Sequence, residues 1–192
     1  MPFDDEIAPV AVVAHRPCWP VEFAEHAARL RELLGDLAVA VDHVGSTSVP
    51  GLAAKDCLDI QVRMVSLDEE CAARATARLT AAGFRCRPEP WNRTEVSSGH
   101  RGRKLVFAPP AGARRCNVHL REHDGPGARY ALLFRDHLRA DAAARRAWGT
   151  FKQRLAEQVQ DLAAYGRIKQ PATDALMLGA ERWAAATGWQ PS

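Results

Sequence analysis

A chain of 192 residues, 47% of them hydrophobic, can bury one sizeable core and is too short for two cores of ordinary size. Its 26 basic and 23 acidic side chains leave a formal charge of +3, which excludes bulk attraction to nucleic acid while leaving local basic clusters open. Five scattered cysteines without a Cys-x-x-Cys pair argue against a disulfide framework or a structural zinc site, and for small buried side chains in a reducing compartment.

The opening stretch, "MPFDDEIAPVAVVAHRPCWP", begins acidic and has only a short apolar run, unlike a secretory signal. No window approaches the roughly 18 apolar residues of a membrane span, so a soluble, cytoplasmic protein is expected. After Pro20, "VEFAEHAARLRELLGD" sets Phe23, Ala27, Leu30 and Leu34 at three- and four-residue steps, predicting an amphipathic helix closed by Gly35. "LAVAVDHV" then reads as a strand running into the turn Gly45-Ser46-Thr47-Ser48. In the next strand, Leu58 to Val65, period-two alternation turns Leu58, Ile60 and Val62 one way and Asp59, Gln61 and Arg63 the other.

Ser66 is the expected cap of a helix that ends at Gly83, and Phe84 to Arg87 begins another strand. The polar, proline-broken segment "CRPEPWNRTEVSSGHRG" predicts a mobile loop, and its part from Glu89 to Gly102 is expected to lie over the entrance of a ligand cleft. "RKLVFAPP" and "RRCNVHLRE" predict two antiparallel strands around "PPAGA". From Gly127 the pattern becomes helical, in "ARYALLFRDHLRA", "AAARRAWGTFKQRLAEQVQ" and "ATDALMLGAERWAAATGW". Without a composition break, these helices are expected to complete the same core, with Trp148, Phe151 and Trp183 inside it.

The chemistry concentrates in "HVGSTSVPGLAAKDCLDIQV", His43 to Val62. A Gly-Ser turn leaving a strand exposes N–H groups and a hydroxyl suited to phosphate oxygens, although any tight turn can look alike. Asp59, on a strand face, is placed to meet Mg²⁺ bridging such oxygens. Two residues on stands Gln61, a neutral side chain, and the neighbouring "CNVHL" strand offers Asn117 and His119 rather than an acid. His119 reads either as a hydrogen-bonded structural residue or as a metal or phosphate contact. Cys116 lies on the opposite strand face from His119, which disfavours a Cys-His metal pair. Lys55, Arg103 and Lys104 flank the motif strands, as phosphate-neutralising groups or as a solvated rim. Arg135 belongs to a helix face that is either simply wet or turned to the same cleft.

The Gly45-Ser46 turn followed by Asp59 resembles the nucleotidyltransferase superfamily of the DNA polymerase beta type, in which a Gly-Ser turn precedes an Asp-x-Asp strand. With "WP" upstream and "LLFRDHLRA" downstream, the motif is similar to the GrpB family, also found as the C-terminal extension of actinobacterial dephospho-coenzyme A kinases. The resemblance runs from about Trp19 to Trp189. It implies an α/β (α+β) fold over residues 1–192 as a single domain: a nucleotidyltransferase-like mixed β-sheet with flanking helices and a helical C-terminal region. No G-x-x-x-x-G-K-[ST] phosphate loop is present, so the kinase half of those fusions is not expected here.

The implied site comprises Asp59 as the catalytic position, with Gly45, Ser46, Lys55, Arg103, Lys104 and Arg135 toward nucleotide or phosphate. Asp59, Gln61 and His119 stand toward Mg²⁺. Because the second acid is missing, the expectation is a nucleotide- or phosphorylated-metabolite-binding protein with a degenerate metal site, and the fused relatives imply that it assists a protein partner. The alternative is an active Mg²⁺-dependent nucleotidyltransferase on an unknown acceptor. Neither reading involves a membrane, and nucleic acid is not the expected partner.

Overall fold

A computed structural model describes residues 9–97 and 99–191, so the acidic opening of the chain and Ser98 lie outside the description. Helix α1 (Trp19–Leu34) carries a proline in its first turn, where the missing N–H has no intrahelical partner to lose, and closes at Gly35 as the sequence predicts. It leads through a short 3₁₀ turn into β1 (Ala38–Val44), which pairs antiparallel with β2 (Leu58–Met64). Helix α2 (Glu69–Ala81) returns the chain to β3 (Arg85–Cys86), and β4 (Thr94–Ser97), β5 (His100–Ala108) and β6 (Cys116–Glu122) follow. Three helices close the fold: α3 (Pro126–Ala140), α4 (Ala142–Gln158) and α5 (Leu162–Thr187).

The six strands form a mixed sheet in the order β1-β2-β6-β5-β3, with β4 paired to β5 beside that path. The β2–β6 pair is parallel, whereas β5–β6 is antiparallel, as expected from the "PPAGA" turn. The alternation read in β2 is observed. Leu58, Ile60, Val62 and Met64 are buried with Leu30, Leu34, Leu79 and Phe107, and full burial of each such side chain contributes about 1.5–3 kcal/mol. The intervening Asp59, Gln61 and Arg63 turn to the other face. Parallel register places Asn117, His119 and Arg121 beside them. That face is covered in part by α3, whose Leu138 packs with Val49, Leu52 and Trp148. Among the described residues, no helix is long and apolar enough to cross a membrane.

Three local expectations are corrected. The cap of α2 is Asp68, whose carboxylate accepts from the Cys71 N–H at 2.8 Å, while Ser66 donates its hydroxyl to Asp68. An acid is the stronger acceptor at a helix N-terminus, so it takes the cap and the serine supports it. The segment read as a loop contains β4. Pro88 and Pro90 confine the irregular backbone to the residues before Thr94, after which Thr94–Ser97 pairs with His100–Arg103 through a connection containing Gly99 at φ +77°. Finally, the last helix, expected over "ATDALMLGAERWAAATGW", begins earlier, at Leu162, and continues through Pro171. Tyr165 and Met177, buried on either side of the proline, hold both halves against the fold.

Candidate functional site

Gly45 ends β1 at φ +67°, ψ −167°, a backbone region open essentially to glycine alone. The chain then closes a 3₁₀ turn over Ser46–Ser48, in which the Ser48 hydroxyl donates to the Gly45 carbonyl at 2.6 Å. That bond employs Ser48 within the turn and sets Ser46 toward the open side, where it lines both cavities described below. Val44 pairs with Asp59 across β1 and β2, so the turn and the acid are adjacent by register.

Asp59 accepts from Asn117 Nδ2 at 3.1 Å and lies 3.5 Å from His119 Nε2. Its burial alone would raise the carboxyl, but His119, Asn117 and the charge of Lys55 outweigh that and hold it well below the usual carboxylate range. Burial keeps the His119 imidazole below its ordinary value against the opposing pull of Asp59. His119 thus turns Nε2 toward Asp59, while its Nδ1 is buried without a hydrogen-bond partner. Asn117 is held in turn by Arg87 Nη2 at 3.3 Å.

On one side of Asp59 is an inner pocket of about 220 Å³, lined by Ser46, Lys55, Asn117, Lys152, Tyr165 and Lys169 among others. Three ammonium groups from the β1–β2 connection, α4 and α5 thus share one small space with one carboxylate. Lys152 is 4% exposed and donates to the Ala53 carbonyl. Burial first, then the charges of Lys169 and Lys55, bring its pKa down to about 7 against the opposing pull of Asp59. Lys169 is lowered for the same reasons, burial first. Lys55 sits over the Tyr165 ring, 5.9 Å from its centroid. Lys55 and Lys169 disfavour the charge of Lys152, and Lys55 that of Lys169, an arrangement that an anion would relieve.

The other side opens into a cleft of about 600 Å³. Its floor includes Asp59, His119 and Lys104, its helical wall Tyr130, Phe134 and Trp148, and its rim Trp91 and Val96. Glu95, also in the cleft, accepts two bonds from Arg121 at 2.8 and 3.0 Å and lies 3.6 Å from Lys104. The inner pocket and the cleft share Ser46, Asp59 and Lys169.

Of the residues singled out from sequence, Gly45, Ser46, Lys55, Asp59, Lys104 and His119 meet around these cavities. Gln61 lies on the same strand face as Asp59, but it is fully buried and its carboxamide is engaged. It donates to Asp42 Oδ2 at 3.3 Å and to the Ala128 carbonyl at 3.4 Å, and accepts from Arg121 Nη1 at 3.1 Å. Arg135 is buried behind the site, paired with Asp136 at 2.6 Å and donating to the His43 carbonyl at 3.4 Å. Arg103 is exposed on β5, one residue from Lys104 and hence on the opposite strand face.

These donors do not fit a resident pair of magnesium ions. Such a pair needs clustered carboxylates, and among the described residues no three His, Cys, Asp or Glu side chains are grouped to hold a metal. Glu95 is neutralised by Arg121 and Lys104 rather than directed at Asp59.

The sequence reading missed Lys152 and Lys169. Both carry a signal: Lys152 stands four residues after Trp148 on the buried stripe of α4 that continues to Leu155 and Ala156, and Lys169 stands four after buried Tyr165. A lysine on an apolar stripe is buried for a reason that packing does not supply.

The sequence pattern described as GrpB protein matches residues 9–178. The chain is 35% identical over 202 aligned positions to a dephospho-CoA kinase of Mycolicibacterium paratuberculosis, covering 96% of this chain and 49% of that one. It therefore spans about half the length of the mycobacterial kinases it matches. A UPF0157 protein of Streptomyces coelicolor is 40% identical over 141 positions, covering 73% of this chain and 67% of that one. The crystal structure of the conserved protein GrpB from Enterococcus faecalis superimposes with a TM-score of 0.68 at 27% identity, over 94% of this chain and all of that one.

Proposed function

The chain belongs to the GrpB family, and from that premise we propose that its cleft binds a nucleotide or a phosphorylated metabolite, with the phosphates in the inner pocket. The observation that carries this reading is the convergence of Lys55, Lys152 and Lys169 on the side of Asp59 where Ser46 and the turn open. Burial of Lys152 and the partial burial of Lys169 lower both pKa values, and a polyanion would favour the charged form of each. The Gly45-Ser46 turn adds a hydroxyl and backbone donors without a further buried charge. In this reading Mg²⁺ reaches Asp59 only as the counter-ion carried on the ligand's own phosphates, because Gln61 and Glu95 are engaged elsewhere.

Thermal unfolding with tripolyphosphate, nucleoside triphosphates and dephospho-coenzyme A, each with and without Mg²⁺, tests it. A ligand at a hundred times its Kd adds about 2.7 kcal/mol. Stabilisation in the wild type that disappears in Lys152→Met and Lys169→Met supports the reading. Equal stabilisation in both variants refutes it.

A second reading, Mg²⁺-dependent transfer of a nucleotidyl group to an unknown acceptor, is favoured by the adjacency of Ser46 and Asp59 on the wall common to both cavities. Release of pyrophosphate that depends on Asp59 distinguishes transfer from binding alone. Because relatives carry this unit within longer chains named dephospho-CoA kinases, a phosphoryl-transfer enzyme is the class of protein partner the reading anticipates.

A further inference from the structure

The rim of the cleft carries an apolar feature that phosphate binding does not use. Trp91 is 70% exposed, as is Val96, yet both line the cleft that ends at the lysine pocket. The indole rises from a 3₁₀ turn, Pro90–Asn92, closed by two bonds between its flanks: the Asn92 N–H donates to the Glu89 carbonyl at 2.8 Å, and Asn92 Nδ2 to Glu89 Oε2 at 2.9 Å. The following strand is held over the sheet by the paired bonds between Glu95 and Arg121. Trp91 is thus a large planar ring on an anchored support, left open toward the cleft instead of folded into a core.

Its surroundings have the same character. Tyr130, Phe134 and Trp148 stand in the helical wall, and Gln170 and Asp174 line the cleft from α5, where Gln170 Nε2 donates to Asp174 Oδ1 at 2.9 Å. The site is therefore bipartite, with cationic and hydroxyl groups at one end and aromatic faces with a carboxamide–carboxylate pair at the other. A sugar phosphate or an inorganic polyphosphate would leave the second end in water. At about 600 Å³, the cleft falls in the range of small-molecule sites, with room for a planar ring beyond the phosphates.

We infer that the ligand is a nucleotide whose base stacks on Trp91, the indole face discriminating base-bearing phosphates from those without a ring. Stacking on an aromatic side chain tolerates every base, so Trp91 selects the class, while hydrogen bonding at the Gln170–Asp174 edge is available to choose within it. This deepens the phosphate reading and rests on it.

Calorimetric titration of the full chain with tripolyphosphate and with ATP, GTP, CTP and UTP separates the two. The wild type should bind nucleotides more tightly than tripolyphosphate. Trp91→Ala should weaken every nucleotide about 5- to 150-fold and leave tripolyphosphate unchanged, with Trp91→Phe recovering most of the loss. The ring's exposure lets both variants fold, which their unfolding curves check. Nucleotides no tighter than tripolyphosphate, or Trp91→Ala weakening both kinds of ligand equally or neither, would overturn the stacking assignment alone. If neither kind of ligand binds the wild type, the phosphate reading falls and the stacking assignment with it.

Discussion

A methyl group on Gly45 would stand 2.5 Å from Asp59 Oδ2. The turn and the acid are therefore packed against each other, and the small residue is required twice: once for its backbone, at φ +67°, and once for the carboxylate behind it.

Gly45→Ala should accordingly destabilise the protein by about 2–4 kcal/mol, combining strain with displacement of Asp59 from Asn117 and His119. Chemical denaturation measures the loss. Ser46→Ala, one residue on, should cost less than about 1 kcal/mol in stability and weaken tripolyphosphate binding. Equal stability of Gly45→Ala and the wild type would mean that the turn can relax away from Asp59.

Lys152 supplies a pH dependence with a definite sign. Its pKa in the fold is about 7, against an ordinary lysine value near 10.4 in the unfolded chain, so between those values the unfolded state binds more protons. The Lys152 contribution to stability therefore rises with pH across roughly pH 7 to 10. Anion binding runs the other way: it favours the charged amine, so affinity for tripolyphosphate should fall as pH rises above about 7, with proton uptake on binding. Lys152→Met should flatten both profiles and raise stability at pH 6, since an apolar replacement removes a buried charge. A wild-type affinity that stays level from pH 6 to 9 would contradict this.

Much of this arrangement is legible in the sequence, and what is not has identifiable causes. The alternation of Leu58 to Met64 displays the two faces of β2 because one face is packed in the core, leaving period two undisturbed. Gly45, Ser46, Asp59 and His119 are found because they lie on that strand, its partner or the adjoining turn. Lys152 and Lys169 are contributed by helices roughly 90 to 110 positions away, and only the tertiary fold brings them to Asp59. Arg135 and Gln61 were legible as polar residues on the right elements, but not as residues with committed partners. Such partners, Asp136 beside Arg135 and Asp42 across from Gln61, depend on side-chain direction rather than spacing.

Gln61→Asp tests that last point. On spacing alone, an acid here would complete an Asp-x-Asp pair and strengthen Mg²⁺ binding. In the fold, the shorter side chain gives up the donor bonds to Asp42 and the Ala128 carbonyl and buries a second carboxylate beside Asp42. The expected outcome is a loss of about 2–4 kcal/mol in stability with no gain in Mg²⁺ affinity. Titration with Mg²⁺ in the presence and absence of nucleotide reads the second part, and a clear gain would show that position 61 can reach the ion beside Asp59.

Gly127 and Glu95 give a final test, of what keeps the rim hairpin in place. Gly127 lies in the first turn of α3, where alanine would be worth about 1 kcal/mol more in helix propensity. A methyl there would overlap the Glu95 carboxylate and come within 3.2 Å of Arg121 Nε. Its absence makes room for the paired bonds from Arg121 that fasten β4 to the sheet. Gly127→Ala should therefore destabilise the protein despite the better helix former, and amides of residues 94–97 and 100–103 should exchange faster. Glu95→Gln should loosen the same amides without the steric clash. It also leaves the positive charge of Lys104 and Arg121 uncompensated in the cleft, so tripolyphosphate should bind several-fold more tightly even as the hairpin loses protection. Slower exchange in Gly127→Ala, or weaker anion binding in Glu95→Gln, would mean that the carboxylate neither fastens the hairpin nor tempers the charge of the cleft.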